Sequence, residues 1–224
     1  MTQAHDTIRE TAFWRAYGRR RYAILFYALL VMLVAGPVVA SFNLPQIAIK
    51  LLFAACLMLA VLPSTTKRSR VLLLSLIGLL ILVRLVSESD EVPIEFGPVL
   101  ALYALTGLVA AAGTLRFAVT SPKVDAETIH AALSTYLLAG LFFGVLYSAV
   151  EFSSPGSFTG PGPFTESSAT YYSFVTLATL GYGDFLPRSE LARGIATLEV
   201  IGGQLYLAVM VARLIGAFEV SKSA

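Results

Sequence analysis

A single cysteine, Cys56, stands among 224 residues, so a disulfide within the chain is impossible and the thiol reads as a small hydrophobe in an apolar segment. Charge is scarce too. Asp, Glu, Lys and Arg make up 13% of the chain against 57% hydrophobic residues, and mean hydropathy is +0.77, values that exclude a water-soluble domain. The net charge of +2 is too small to imply a nucleic-acid partner. Histidine occurs only at His5 and His130, which leaves no metal-ligand cluster. With no Ser/His/Asp or Cys/His set and no phosphate-binding glycine loop, an enzyme is not expected, nor is a cofactor. Acidic residues are missing from the whole stretch between Glu10 and Glu88.

What fills the chain instead is apolar segments near the ~20 residues that a helix needs to cross a bilayer. Six can be marked: Tyr22 to Ala40, Gln46 to Leu62, Val71 to Val86, Gly97 to Phe117, Ile129 to Val150 and Leu191 to Phe218. The arginines before the first, Arg9, Arg15 and Arg19 to Arg21, suit a membrane surface. That first run is of span length and lacks a small-residue cleavage site, so it reads as a span and not as a signal peptide. Between the last two segments a Gly/Pro/Ser loop from Pro155 to Pro163 precedes a stretch too short to span, Thr165 to Ala178. It reads as a re-entrant half-helix with Thr165 or Ser167 as N-cap.

Threading six spans from a cytoplasmic N-terminus puts 12 of the 16 Lys and Arg residues inside, as short-loop membrane proteins prefer. Lys50, Arg84, Arg188 and Arg193 stay outside, and both termini are expected in the cytoplasm. The expected fold is an all-α membrane protein with six transmembrane helices and a re-entrant pore helix and filter between the fifth and sixth. Its parts are a cytoplasmic segment 1–21, a four-helix unit 22–119, a linker 120–128 and a unit 129–218, then a short tail 219–224. The last unit divides into an outer helix 129–150, a pore helix 165–178, a filter 179–184 and an inner helix 190–218. Within the linker, Asp125 has the place of an N-cap for a helix running through His130. His130 reads as an interfacial side chain, with pH sensing as the alternative. No sensing domain is expected after the last span.

Irregular backbone is tolerated at membrane depth only where it lines water or is buried in protein. Gly181-Tyr182-Gly183, directly after a re-entrant helix, is a candidate for such backbone. Glycines there can adopt φ > 0 and let successive carbonyls point one way. The C-terminus of the preceding helix would bring partial negative charge toward the membrane centre, which favours a cation.

Gly-Tyr-Gly alone is weak, but the segment from Tyr171 to Asp184 (Tyr-Tyr-Ser-Phe-Val-Thr-Leu-Ala-Thr-Leu-Gly-Tyr-Gly-Asp) resembles the pore helix and signature of the potassium channel family. The resemblance runs from Ile129 to about Phe218 and is to the bacterial six-span, single-pore-loop type. It implies a homotetramer in the bacterial inner membrane, bound by lipid, that passes potassium passively. Carried over by position, the carbonyls of Thr179, Leu180, Gly181 and Tyr182, with the Thr179 hydroxyl, would hold potassium, and Gly183 would close the filter. Tyr171 and Tyr172 stand where the family has an aromatic pair that braces the filter tyrosine; anchoring at the interface is the alternative. Asp184 would concentrate cations at the mouth and hydrogen-bond behind the filter, and Thr176 on the pore helix would add to the filter's support. Leu180 replaces a commoner valine, and Val175 excludes a carboxylate pair behind the filter.

Gly203, with Gly202 beside it, matches the family's hinge glycine, with close helix packing as the alternative. Gly140-x-x-x-Gly144 is a small-residue contact of the kind that joins spans. Glu199 is placed to support the filter, or else is a protonated or water-bonded structural carboxyl. Arg84 and Lys50 read as snorkelling side chains, and Arg213 as an anchor at the inner interface or a residue of the inner mouth. The fourth span carries Arg116 alone, at its end, so a working voltage sensor is not expected. Two other readings stand beside the potassium channel, a weakly selective cation channel and a non-conducting accessory subunit. A separate regulatory partner is left open.

Overall fold

The computed structural model describes residues 20–36 and 96–222, with positions 38, 42 and 78. The expected second span and all of the third except Gly78, with Cys56, Lys50 and Arg84, lie outside the described residues, as do residues 1–19 with His5. The described chain forms α1 (20–36), α2 (Phe96–Thr120), α3 (Ala126–Ser153), β1 (Phe158–Thr159), α4 (Glu166–Leu177), β2 (Leu186–Pro187) and α5 (Glu190–Lys222). Three of these helices are long and apolar enough to cross a membrane, over Gly97–Thr120, Ala126–Ser153 and Glu190–Arg213.

The start of α3 has a local cause. Asp125 takes an extended backbone, and its carboxylate accepts from Thr128 N at 2.9 Å and the Thr128 hydroxyl at 2.8 Å. α3 therefore begins three residues before the expected outer helix, and the linker shrinks to 121–125. The same hydrogen bonds, led by the Thr128 amide, hold the Asp125 carboxyl below its ordinary range. A carboxyl so depressed stabilises the fold above its unfolded pKa, and that contribution fades as pH falls through the folded value. Asp125→Ala should lower stability by ~1 kcal/mol. Thermal unfolding in detergent should show the difference at neutral pH and show it shrinking in acid.

α2 and α3 pack along their lengths, with Phe142 of α3 filling the space above Gly107 and a buried hydrogen bond of 2.8 Å joining the hydroxyls of Thr114 and Thr135. α1 lies across the junction of the two. Its Tyr22 ring stacks on Phe117 at 4.5 Å under the Arg21 guanidinium, and Tyr22 N donates to the Glu127 carboxylate at 3.0 Å. One core joins Leu25 and Leu29, Tyr103, Leu138 and Phe142, and Met210. A second lies at the opposite end of α3, where Tyr147, Val150, Phe158, Ala169, Tyr172 and Ala192 meet.

α5 touches both regions. At its middle the Tyr206 hydroxyl donates to Ala132 O at 2.5 Å, and two turns further on the Arg213 guanidinium donates to the carbonyls of Val119 and Ser121. Those carbonyls belong to the C-terminal end of α2, where orphan acceptors and partial negative charge favour a cation. Arg213 thus ties the end of α5 to the α2–α3 turn.

Candidate ion-conducting site

α4 starts where expected. Thr165 is its N-cap, with its hydroxyl accepting from Ser168 N at 3.2 Å, and Glu166 adds an acid to the first turn. Twelve residues give a helix about 18 Å long, well short of a hydrocarbon core. Two α3 glycines seat it. A Cβ at Gly144 would stand 2.8 Å from Thr170 Cα, and the Phe174 ring lies directly over Gly140. The small-residue pair in α3 therefore receives α4, whereas the spacing alone suggested a partner among the spans.

α4 also rests on α5. A Cβ on Gly203 would be 2.9 Å from Leu177 O and 2.8 Å from Leu177 Cδ1, so glycine is what allows α5 to reach the C-terminal end of α4. A Cβ at Gly202 would meet nothing within 4 Å. α5 continues as helix through both glycines.

Beyond α4 the chain turns irregular until β2. Thr179 N donates to Thr176 O and Leu180 N to Val175 O, both at 2.9 Å, which closes the helix end. Thr179 then has φ of 57°, Gly181 of 57° and Gly183 of 78°. Every second residue is left-handed, while Leu180, Tyr182 and Asp184 are not. Alternation of that kind turns successive carbonyls toward one side of the strand. Two of the three positions carry the glycines that such backbone needs. Thr179 is the surprise, since a β-branched residue in this region is strained by ~1–3 kcal/mol and persists only where its surroundings hold it.

Residues 178–184 are exposed in the single chain, Leu180 to 57% and Tyr182 to 66%. The two tyrosines before them part company. Tyr172 is buried against Tyr147, Phe158 and Phe164, with its hydroxyl by Thr176. Tyr171 stays half exposed beside Phe185 and hydrogen-bonds Asp184, which raises its phenol above the ordinary value. Asp184 also accepts from Phe185 N at 3.0 Å. Val175, on α4, is buried.

A short ladder not anticipated from sequence frames the far side of this irregular segment. β1 and β2 pair antiparallel, Phe158 with Pro187 and Thr159 with Leu186, and the Glu151 carboxylate accepts from Gly156 N at 2.9 Å and Phe158 N at 3.0 Å. Ser157 O accepts from Arg188 N at 2.7 Å. The Gly/Pro/Ser loop and the segment after residue 184 are thereby held together, under a Phe158–Phe164 stack at 4.0 Å.

Glu199 of α5 is fully buried. The Tyr147 hydroxyl lies 2.5 Å from its Oε2, the Ser173 hydroxyl lies 2.5 Å from its Oε1, and the same Ser173 oxygen is 2.7 Å from Gly140 O. One carboxyl thus joins α3, α4 and α5.

Residues 131–220 match the family model described as ion channel. The inward rectifier potassium channel Kirbac3.1 of Paramagnetospirillum magnetotacticum is 36% identical over 87 residues, which are 37% of this chain and 27% of that protein. The chain therefore spans about a quarter of that relative's length. No solved structure matches.

Proposed function

We propose that this membrane protein is a potassium-selective channel subunit whose filter is Thr179 to Gly183 and which conducts as a homotetramer. The observation that carries the reading is the alternating handedness at Thr179, Gly181 and Gly183. Carbonyls presented on one side of four such strands, with the Thr179 hydroxyl at the inner end, would replace the hydration shell of potassium. The C-terminal end of α4, next to the strand, contributes partial negative charge, and the exposed Asp184 raises cation concentration at the mouth. The match to the ion channel family over 131–220 and the potassium channel relative support the same reading.

Four copies would cover what a single chain leaves open. Leu198, Ile201 and Leu205 are more than half exposed along one face of α5, next to an exposed filter strand. Tyr182 would gain its packing from a neighbouring copy, because Tyr172 of the same chain is turned into the second core. Gating would bend α5 at Gly202, where an added Cβ would meet nothing within 4 Å, about the point where Gly203 is fixed on Leu177. Voltage would have little to act on, as Arg116 is the one cation in α2 and sits exposed near its end.

Flux in reconstituted vesicles decides the matter. With opposed potassium and sodium gradients the reversal potential should follow potassium. A potential that ignores potassium, or vesicles that pass no ion, would sink the reading.

A further inference from the structure

The hydroxyls and the carboxyl around Glu199 set a problem in counting protons. Three contacts are of hydrogen-bond length, from Tyr147 to Glu199, from Ser173 to Glu199 and from Ser173 to Gly140 O. A hydrogen bond needs one proton, a carbonyl supplies none, and each hydroxyl supplies one. Tyr147 and Ser173 together bring two. Were Glu199 ionised, one pair of oxygens would face each other at 2.5 or 2.7 Å with no proton between them. Both the serine and the glutamate are wholly buried within one chain, so water cannot relieve that contact.

We infer that Glu199 is a neutral carboxylic acid whose own proton, on Oε1, is donated to Ser173, and that this acid positions the pore helix between the two spans. Ser173 then donates to Gly140 O and Tyr147 to Glu199 Oε2, and all three contacts are satisfied in one direction around the cluster. The surroundings suit a neutral group. Among the described residues, the titratable groups that face Glu199 are Tyr136 and Tyr147 from α3 and Tyr172 from α4, all of them phenols. The α5 cation nearest in sequence, Arg193, is exposed and engaged with Glu190 and Pro187 O.

The position of α4 follows from this. Ser173 lies six residues before Thr179, on the helix whose end starts the irregular strand, and Gly140 O belongs to the same seat that receives Phe174 and Thr170. Glu199 is the fixed point on α5 just before the Gly202-Gly203 pair, so motion beyond the glycines need not disturb α4. Glu199 is a positioning residue, since it is enclosed and touches no part of residues 179–183 through any described hydrogen bond.

The inference rests on the channel reading for its consequence but not for its chemistry, and two measurements keep them apart. In isotope-edited infrared spectra of the full chain in vesicles, carbon-13 glutamate should show the carbonyl stretch of a protonated acid, and Glu199→Gln should remove it. Absence of that band in the unaltered protein overturns the inference. In potassium flux, Glu199→Gln should stay within about twofold of the parent, because its nitrogen can donate to Ser173 and its oxygen accept from Tyr147 as the neutral acid does, with one further N–H as the difference. Glu199→Ala should lose about tenfold or more, since the buried Tyr147 hydroxyl then lacks its acceptor and Ser173, left with Gly140 O alone, is no longer tied to α5. Glutamine as damaging as alanine, or alanine as active as the parent, would contradict the positioning role. If the parent passes no potassium the channel reading falls, and the infrared band still decides the protonation.

Discussion

Alanine at Gly181 or Gly183 is expected to cut potassium flux by about a hundredfold or more while leaving helix content and assembly close to the parent. Space is not the reason, because a Cβ at either position meets nothing within 4 Å in the chain. The reason is backbone. With φ of 57° and 78°, both residues sit where an L side chain costs ~1–2 kcal/mol, and a filter built from four chains would incur that cost four times, ~4–8 kcal/mol in all. At ~1.4 kcal/mol per factor of ten, the strand should leave the alternating conformation before it accepts the alanine. Flux and reversal potential in vesicles measure the loss, and size-exclusion chromatography with circular dichroism monitors assembly. Alanine variants that conduct and select like the parent would show that the alternation is not what passes the ion.

Thr179 sharpens the point. It already has a left-handed backbone without being glycine, so the strand tolerates one strained residue where the end of α4 holds it through Thr176 O. Gly181 and Gly183 have no such anchor among the described hydrogen bonds and depend on their own freedom.

Much of this site was legible before any coordinates, and the physical reason is that its signals are local. A threonine three residues before Ser168 caps α4, Asp125 caps α3, and two glycines flank a tyrosine at positions that turn out left-handed. Each depends on a few consecutive residues and on backbone chemistry. The features that escaped depend on what lies opposite. Gly140 and Gly144 have the spacing of a helix contact, yet the spacing is silent on whether a span or α4 fills it. The Tyr171–Tyr172 pair does not reveal that one ring enters a core with Tyr147 while the other meets Asp184. Two-residue strands have no period to detect, so β1 lies inside what reads as a Gly/Pro/Ser loop, and its pairing with β2 depends on residues far along the chain. Glu199 was readable as a supporting or protonated carboxyl, but only the three helices together supply the hydroxyls that count its protons.

The seat of α4 yields the other large effect. Gly144→Val puts a branched side chain where even a Cβ would lie 2.8 Å from Thr170 Cα and 3.2 Å from Thr170 N. These are backbone atoms, so no rotamer change can relieve the contact and α4 itself must move. Two terms of opposite sign compete. Replacing glycine within a helix favours the folded state by a few tenths of a kcal/mol up to ~1, while overpacking a tight core costs ~1–3 kcal/mol. With a rigid neighbour and a branched side chain the overpacking term should win, leaving a net loss of ~2 kcal/mol. Gly140→Ala is the informative contrast. Its Cβ would be 2.5 Å from the Phe174 ring, a side chain that can swing aside, so its loss should be smaller than that of Gly144→Val. Thermal unfolding in detergent should rank the two in that order. Potassium flux should fall at least about tenfold in Gly144→Val, because a displaced α4 carries Ser173 away from Glu199 and Thr179 out of line with the strand it starts. A Gly144→Val protein that unfolds at the parent temperature would mean that α4 is not seated on α3 through this glycine.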